Sequence, residues 1–265
     1  MPNQESSERR RAVVSFVRRG SRLTRSRQDA WDRLSERYVL RVPSGVRETA
    51  AHPDARLNPV EIFGREAPLT VEIGSGLGEN VANAAAQHPE RDFLAFEVYR
   101  PGIAQTLDRL ERLGLPPNVR LVELDAQHSL PVLLPDNSLS EVWIFMPDPW
   151  HKTRHHKRRI VQPEFASELS RLLVAGGTLR LATDWAAYAQ HMRSVLDNHP
   201  NFQNAHPKGP RPEGTAADPV GEEMPLTGWA PRFSGRVLTS FERKGREAGR
   251  LVWDMTYLRK TVSNV

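Results

Sequence analysis

Short apolar runs alternate with segments of helical periodicity between residues 68 and 196, and no other feature of the chain restricts its fold as strongly. The apolar runs predict strands over residues 69–73, 93–96, 119–124, 142–146 and 178–182. The periodic segments predict helices over residues 79–88, 102–113, 163–173 and 186–196. Strands that alternate with helices in this way form a parallel sheet that is covered by helices on both faces.

Positive charge is concentrated at the N-terminus. The chain has a net charge of +5, and residues 1–27 hold eight arginines against Glu5 and Glu8, so that the remaining residues carry a net charge of −1. This segment is poor in large apolar residues, and we expect it to be a disordered, arginine-rich arm. A short amphipathic helix is predicted over residues 28–38, and a connection follows it as far as residue 66.

The C-terminal third of the chain departs from the alternating pattern. Residues 207–231 are rich in proline, glycine and acidic side chains, which predicts a flexible loop or lid. Two apolar runs, 237–241 and 251–258, predict a hairpin around a charged turn. We therefore expect one α/β domain over residues 67–265, with a mostly parallel, doubly wound sheet that ends in an antiparallel hairpin.

The composition excludes several classes of protein. The chain has no cysteine, so disulfides, thiolate metal sites and thiol nucleophiles are absent, and a cytoplasmic location is expected. No apolar run approaches the roughly 18 residues needed to span a bilayer, and we expect no membrane partner. The sequence does not indicate the oligomeric state.

A glycine-rich turn separates the first predicted strand from the first helix of the alternating region. It contains Gly74, Gly76 and Gly78, with Glu72 just before it and Glu79 where a dinucleotide fingerprint would have a further glycine. Glycine allows the backbone to turn sharply and to approach a ligand closely. A carboxylate at position 72 would repel a pyrophosphate but suits an amino group.

Two further carboxylates follow the next predicted strands. Glu97 ends the second strand, about 20 residues beyond the glycine turn, where an acidic side chain accepts hydrogen bonds from ribose hydroxyls. Asp125 follows the third strand and is expected to meet an adenine amine. The ribose contact is shared with enzymes that bind a nicotinamide dinucleotide. Glu72 and Glu79 at the glycine turn, with Asp125 placed to meet the adenine, favour S-adenosylmethionine instead. The fold expected is therefore the Rossmann-like, seven-stranded fold of S-adenosylmethionine-dependent methyltransferases.

The fourth strand runs into Pro147-Asp148-Pro149-Trp150. This turn resembles the Asp-Pro-Pro-Tyr type of turn in methyltransferases that act on base nitrogens. The prolines stiffen it because each fixes φ, and Asp148 is expected to lie beside the transferred methyl group. Trp150 offers a flat face for stacking on a base, although packing in the core is an equally acceptable role.

Residues 151–159 are all histidine, lysine or arginine except Thr153. Such a run is usually a solvated face, but five fixed cations beside a predicted reaction centre also suit RNA phosphates. The histidines lack the carboxylate or cysteine partners of a zinc site, so no metal is expected.

Five motifs together resemble the bacterial tRNA (guanine-N7)-methyltransferase family over about residues 57–260. They are Val-Glu-Ile-Gly-Ser-Gly-x-Gly, Phe-Glu-Val-Tyr, Pro-Asp-Pro-Trp-x-Lys-x-Arg-His-x-Lys-Arg-Arg, Thr-Asp-Trp and Thr-x-Phe-Glu-x-Lys-Gly. The resemblance implies transfer of a methyl group from S-adenosylmethionine to N7 of the guanine at tRNA position 46, in the variable loop. The N-terminal arm and the loop over residues 207–231 depart from the family pattern.

The resemblance also implies roles for individual residues. The cofactor contacts would be Glu72, Gly74, Gly76, Gly78, Glu97, Asp125 and Asp148, and Asp148 would also be catalytic. The substrate contacts would be Lys152, Asp184, Thr239, Ser240, Phe241 and Glu242. The RNA-interacting segment would be Arg154, His155, His156, Lys157, Arg158 and Arg159.

Two other interpretations remain open from the sequence. Methylation of an exocyclic base amine would make Asp148 a proton acceptor. An RNA-binding module with a vestigial cofactor fold would need no catalytic residue, but the complete set of cofactor carboxylates argues against it.

Overall fold

The computed structural model describes residues 14–16, 20–212 and 224–261. It has seven strands: β1 (Leu69–Ile73), β2 (Asp92–Phe96), β3 (Val119–Val122), β4 (Leu139–Phe145), β5 (Leu173–Thr183), β6 (Phe202–Asn204) and β7 (Trp253–Arg259). They form one sheet in the order β3-β2-β1-β4-β5-β7-β6. The first five strands pair in parallel, and β7 runs antiparallel to both of its neighbours. The predicted fold class is confirmed.

Two of the described helices precede β1 in the chain, and the others lie between consecutive strands. They are α1 (Arg25–Tyr38), α2 (Pro59–Phe63), α3 (Glu79–Gln87), α4 (Arg100–Arg112), α5 (Ala126–Leu133), α6 (Pro163–Leu172), α7 (Ala186–Asp197) and α8 (Ser240–Glu247), with a 3-10 helix over Thr153–Arg158. None of them combines the length and the hydropathy that a bilayer-spanning helix requires.

Two hydrophobic clusters lie on opposite faces of the sheet. Val71 of β1 packs in a cluster that includes residues of α5, α6 and α7, whereas Phe93 of β2 packs in one that includes residues of α1, α3 and α4. All five residues of β1 and of β2 are buried, because helices cover both faces of these strands. This arrangement explains the continuous apolar run of residues 93–96 in β2, whereas β1 also buries the polar Thr70 and Glu72.

The predicted C-terminal hairpin is wrong in one of its two strands. The antiparallel partner of β7 at the edge of the sheet is β6, and residues 240–241 of the predicted strand belong to α8. The Thr239 hydroxyl accepts a hydrogen bond from the Glu242 amide at 3.1 Å and caps this helix. Thr239 to Glu242 has the spacing of a capping box, so the helix has a sequence signal that competes with the apolar pattern of a strand.

The N-terminal boundary also differs from the prediction. Helix α1 begins at Arg25, three residues earlier than predicted and inside the segment expected to be disordered. Its Arg33 side chain pairs with Glu111 of α4. Residues 1–13 and 17–19 of the predicted arm lie outside the described residues.

Part of the predicted loop over residues 207–231 is core. Residues 213–223 lie outside the described chain, but Trp229 is fully buried and its ring lies 4.7 Å from the ring of Trp253 in β7. The indole nitrogen of Trp229 donates a hydrogen bond to the Pro225 carbonyl at 2.7 Å. The C-terminal end of this segment is therefore an anchored part of the domain, in contrast to the predicted flexible loop.

Replacement of Trp229 with alanine should lower the free energy of unfolding by about 3–5 kcal/mol, because it leaves a large cavity beside Trp253. Leu226→Ala, three residues away at a side chain that is 70 % exposed, is the matched control and should change it by less than about 0.5 kcal/mol. Urea denaturation measures both variants. Equal small effects would show that the segment does not contribute to the core.

Candidate active site

A cleft of about 650 Å³ opens at the carboxyl ends of β1, β2, β4 and β5. Strand order changes direction between β1 and β4, and ligands of doubly wound sheets bind at this position. The cleft is lined by the turns that follow these strands and by the first turn of α8. Most of the carboxylates and glycines predicted from the sequence therefore lie around one cavity.

The glycine turn forms the floor of the cleft between β1 and α3. Gly74, Gly76 and Gly78 all have positive φ, at +73°, +58° and +72°, which glycine adopts without strain. A Cβ on Gly76 would have no described heavy atom within 4 Å, so it would extend into open space beside the turn. A Cβ on Gly78 would lie 2.2 Å from the Thr106 hydroxyl of α4, so this glycine allows the two helices to pack.

Glu72 is a buried carboxylate at the end of β1, only 3 % exposed. The Asn80 amide donates a hydrogen bond to its Oε1 at 3.1 Å, and its Oε2 has no hydrogen-bond partner among the described residues. Burial raises the pKa of Glu72 to about 8. A carboxylate with one unsatisfied oxygen in a cleft is suited to bind a cationic group such as an ammonium.

Glu97 connects the end of β2 to the glycine turn. Its Oε2 accepts a hydrogen bond from the Gly76 amide at 2.7 Å, and its Oε1 accepts from the Val98 and Tyr99 amides at 2.8 Å each. The side chain lines the cleft, where ribose hydroxyls are expected. Its role as a ribose contact stays a prediction.

Asp125 lies in the cleft after β3 and also begins α5, a helix that was not predicted from the sequence. Its Oδ1 accepts from the Gln127 amide at 3.0 Å, and its Oδ2 lies 2.5 Å from Nδ1 of His128. An aspartate directly before an amphipathic segment is an N-cap signal. Both of its oxygens thus have partners within the protein, and the contact with adenine stays a prediction.

Asp148 is held in a strained turn after β4. The residues on either side of Pro147-Asp148-Pro149 both have positive φ, +51° at Met146 and +49° at Trp150. Each such non-glycine residue costs on the order of 1–3 kcal/mol, and strain of this kind clusters at functional sites. Asp148 itself lines the cleft and is partly exposed.

The two tryptophans near this turn have different surroundings. The Trp150 ring lies 4.8 Å from the Arg158 guanidinium, its edge meets His155, and its indole nitrogen donates to the Ser15 carbonyl at 3.0 Å. Trp185, which was not predicted as a site residue, lines the cleft and meets the His151 ring at 4.1 Å. An aromatic residue directly after the Asp184 strand end was the signal that could have identified it.

The basic run forms a 3-10 helix at the edge of the cleft. One residue of the run, Arg159, is buried, although the sequence predicted a contact with RNA. Lys152, Arg154 and Lys157 are exposed, but Arg159 is only 2 % exposed. Its Nε donates to the Pro149 carbonyl at 3.0 Å, and its guanidinium lies 4.8 Å from the Tyr188 ring. Arg159 therefore holds the Asp148 turn in place, and its burial is inconsistent with the predicted contact with RNA.

The histidines of this helix lie among the cations. Burial and four neighbouring cations, Arg154 and Arg158 foremost, lower the pKa of His155, and burial together with Arg159 lowers the pKa of His156. The described residues contain no group of three or more histidine or acidic side chains that could hold a metal ion.

The first turn of α8 contributes to the wall of the cleft. Thr239, Ser240, Phe241 and Glu242 all line the cleft. Glu242 is 2 % exposed, and its carboxylate pairs with three guanidinium groups, those of Arg232, Arg236 and Arg246. The pairs with Arg232 and Arg236 fix α8 against the domain, whereas the pair with Arg246 lies within the helix. A contact of Glu242 with substrate stays a prediction.

Asp184 and Lys152 complete the predicted substrate contacts. Asp184 lines the cleft and pairs with Arg250 at 2.9 Å, and a Cβ added to Gly245 of α8 would lie 3.1 Å from its Oδ2. Lys152 is exposed on the approach to the 3-10 helix and is not among the residues that line the cleft.

Comparison of the whole chain with known proteins identifies its family. A family model described as "Putative methyltransferase" matches residues 66–255. A tRNA (guanine-N(7)-)-methyltransferase of Paenarthrobacter aurescens is 46 % identical and covers 93 % of this chain and 91 % of its own length. One of Arthrobacter sp. (strain FB24) is 46 % identical, over 93 % of this chain and 86 % of its own.

The chain belongs to the tRNA (guanine-N(7)-)-methyltransferase family. Its fold is similar to the crystal structure of the 16S rRNA methyltransferase KamB, with a TM-score of 0.50 and 16 % identity over 84 % of this chain and 100 % of that one. The cofactor of this methyltransferase is S-adenosylmethionine. The unsatisfied Glu72 oxygen suits the ammonium group of this cofactor. The open space beside Gly76 leaves room for the rest of its amino-acid part next to the main chain.

Glu72→Gln should change how the stability of the ligand-free methyltransferase depends on pH. The pKa of Glu72 is raised in the folded state, so between about pH 4.5 and 8 the folded protein binds more protons than the unfolded chain. The free energy of unfolding therefore falls as pH rises through this window, by up to about 1.4 kcal/mol per pH unit. The variant lacks this contribution and should show a flatter profile.

Urea denaturation at pH 5, 7 and 9 without cofactor measures the difference. Glu66→Gln, at an exposed position, is the matched control and should follow the original protein. Parallel profiles for Glu72→Gln and the original protein would show that Glu72 ionises freely in the fold.

Proposed function

We propose that the protein transfers the methyl group of S-adenosylmethionine to N7 of a guanine in the variable loop of tRNA, in the cytoplasm. The observation that carries the proposal is that one cleft combines a carboxylate suited to an ammonium, Glu72, with a second carboxylate in a strained turn, Asp148. The basic 3-10 helix at its edge suits a phosphate backbone. The named relatives act on a tRNA guanine at N7.

In this proposal the carboxylates around the cleft hold the cofactor along its length. Glu72 accepts hydrogen bonds from the ammonium group, Glu97 accepts them from the ribose hydroxyls, and Asp125 accepts one from the adenine amine. The three glycines of the turn allow the main chain to approach the ligand: Gly74, Gly76 and Gly78. When bound, S-adenosylmethionine supplies an electrophilic methyl group on a sulfonium centre. Glu72 gains the partner that its Oε2 lacks, which offsets part of the cost of its burial.

The chemistry that we propose needs no general base. N7 of guanine has a lone pair in the plane of the ring and no proton, so the protein has mainly to orient the base and to exclude water. The ring becomes positively charged as the bond to the methyl group forms. A carboxylate in the position of Asp148 favours this charge over the neutral ground state. Arg159 keeps Asp148 in position through the Pro149 carbonyl.

We propose that the guanine is bound between Asp184 and the first turn of α8. A carboxylate such as Asp184 can accept hydrogen bonds from the N1 and N2 donors of the base, and Thr239, Ser240 and Phe241 form the opposite wall. Lys152, Arg154 and Lys157 meet phosphates outside the cleft, together with Arg158.

Asp148→Asn should lower turnover by about 100-fold or more, because it removes the charge beside the transferred methyl group. Its affinity for tRNA should stay within about twofold, since the exposed cations of the basic helix are unchanged in this variant. Single-turnover assays with labelled cofactor and filter binding measure the two quantities. Asp54→Asn, at an exposed position, is the control.

The product separates this proposal from methylation of an exocyclic amine, the reaction suggested by the Pro-Asp-Pro turn. Nucleoside mass spectrometry of the treated tRNA should show N7-methylguanosine. The tRNA should also be cleaved by a chemical treatment that is specific for N7-methylguanosine. A product methylated on an exocyclic amine would refute the proposal, as would a wild-type turnover rate in Asp148→Asn.

Replacement with glutamine should have different effects on tRNA binding at the exposed cations of the basic run and at the buried Arg159. The double variant Arg154→Gln, Lys157→Gln should weaken tRNA binding and reduce the slope of log affinity against log salt, by about 0.7–0.9 for each phosphate that is no longer neutralised. Arg159→Gln should lower turnover and thermal stability, because the Pro149 carbonyl loses its donor, and should leave the salt slope unchanged. Filter binding over a salt series measures the slopes; an equal reduction in both would contradict the assignment.

A further inference from the structure

Asn80 lies in the first turn of α3, directly behind the glycine turn, and is only 5 % exposed. Its side chain makes two hydrogen bonds to distant parts of the chain. Nδ2 donates to Oε1 of Glu72 at 3.1 Å, and Oδ1 accepts from the main-chain amide of Val237 at 3.0 Å. One buried amide thus joins the carboxylate at the end of β1 to the segment that leads into α8.

The bond to Glu72 orients that carboxylate. Oε2 of Glu72 has no hydrogen-bond partner among the described residues, and Asn80 is the described side chain that donates to Oε1. The main-chain amide of Val81 also stabilises this carboxylate, so Asn80 provides the side-chain part of the contacts that select its rotamer. The hydrogen bond from Asn80 lowers the pKa of Glu72 and so opposes the effect of burial. Donation from an amide favours the ionised form, which is the form that binds a cation.

The bond to Val237 supports a segment that has no strand or helix of its own. Residues 237–238 lie outside the sheet, between the buried Arg236 and Thr239, the cap of α8. The neighbouring residue of α3, Glu79, accepts a hydrogen bond from the Ser240 amide at 3.3 Å. The first turn of α3 therefore supports the main chain that presents the predicted substrate contacts of α8.

We propose that Asn80 is a positioning residue that sets both the cofactor carboxylate Glu72 and the tRNA-binding segment from Val237 to Glu242. The proposal rests on the role proposed above for Glu72 and for the first turn of α8. It adds that the cofactor carboxylate and the segment leading into α8 both depend on one side chain in α3. In the described part of the chain, neither the glycine turn nor the basic helix contains a residue that forms hydrogen bonds with both Glu72 and this segment.

Two substitutions separate the two bonds. Asn80→Asp keeps the size and the oxygen that accepts from Val237, but it loses the donor to Glu72 and adds a like charge. Its dissociation constant for S-adenosylmethionine should rise about tenfold or more, and its KM for tRNA at saturating cofactor should stay within about twofold. Asn80→Ala loses both bonds, and both constants should rise.

Calorimetry with S-adenosylmethionine and steady-state kinetics with tRNA measure these constants, and thermal melting checks that each variant is folded. Asn83→Ala, on the same helix and away from the cleft, is the control and should leave both constants unchanged. A purely structural role for Asn80 would shift the melting temperature without the split between the cofactor and tRNA constants.

The proposal is overturned if Asn80→Asp binds S-adenosylmethionine as the original protein does, or if Asn80→Asp and Asn80→Ala raise the KM for tRNA equally. Glu72→Gln separates this failure from that of the proposed function. If Glu72→Gln also binds the cofactor normally, then the assignment of Glu72 is wrong. If Glu72→Gln binds weakly and Asn80→Asp does not, only the role of Asn80 is refuted.

Discussion

Parallel pairing of β1 with β2 on one side and with β4 on the other determines the edge of the sheet at which the candidate residues of the strand ends lie. Parallel strands end at the same edge of the sheet, so the turns after them surround one cleft. Glu72 lies at the end of β1. The other three carboxylates follow β2, β4 and β5, and all of them line this cleft: Glu97, Asp148 and Asp184. The pairing is stable because helices cover both faces of the central strands and leave none of their residues in water.

The cleft contains charges that burial alone would disfavour, and each is held by specific partners. Glu72 is kept in position by Asn80, and Arg159 by the carbonyls of Pro149 and Ala187. Glu242 lies among three arginines, one of which also binds Asp254 of β7. Removing one member of such a pair is costly because the other stays buried and uncompensated. The buried ions therefore favour one arrangement of the loops around the cleft.

Two of the four described non-glycine residues with positive φ flank the turn where the methyl group is expected to be transferred. Met146 and Trp150 both have positive φ on either side of a turn with two prolines, and the Met146 amide donates to the Ala182 carbonyl of β5. The surrounding sheet and Arg159 hold this conformation against its cost. A turn held in this way presents Asp148 in a defined position before a ligand arrives, which suits catalysis by electrostatic stabilisation.

Features that depend on local pattern could be predicted from the amino-acid sequence alone. Apolar runs predicted the five parallel strands, and the spacing of Glu72, the glycines and Glu97 predicted a cofactor turn, because strand burial and glycine conformation are properties of neighbouring residues. Thr239 to Glu242 was also a local signal, a capping box, but the apolar residues beside it favoured a strand.

Features that depend on contacts between separate segments of the chain could be identified only from the folded structure. Arg159 is identical in type to its exposed neighbours in the basic run, and only packing against Tyr188 and Pro149 shows that it is buried. Trp229 lies in a segment with the composition of a loop but packs on Trp253. Asn80 joins residues that are 8 and 157 positions away. Such contacts follow from the arrangement of whole elements, and no local sequence pattern encodes them.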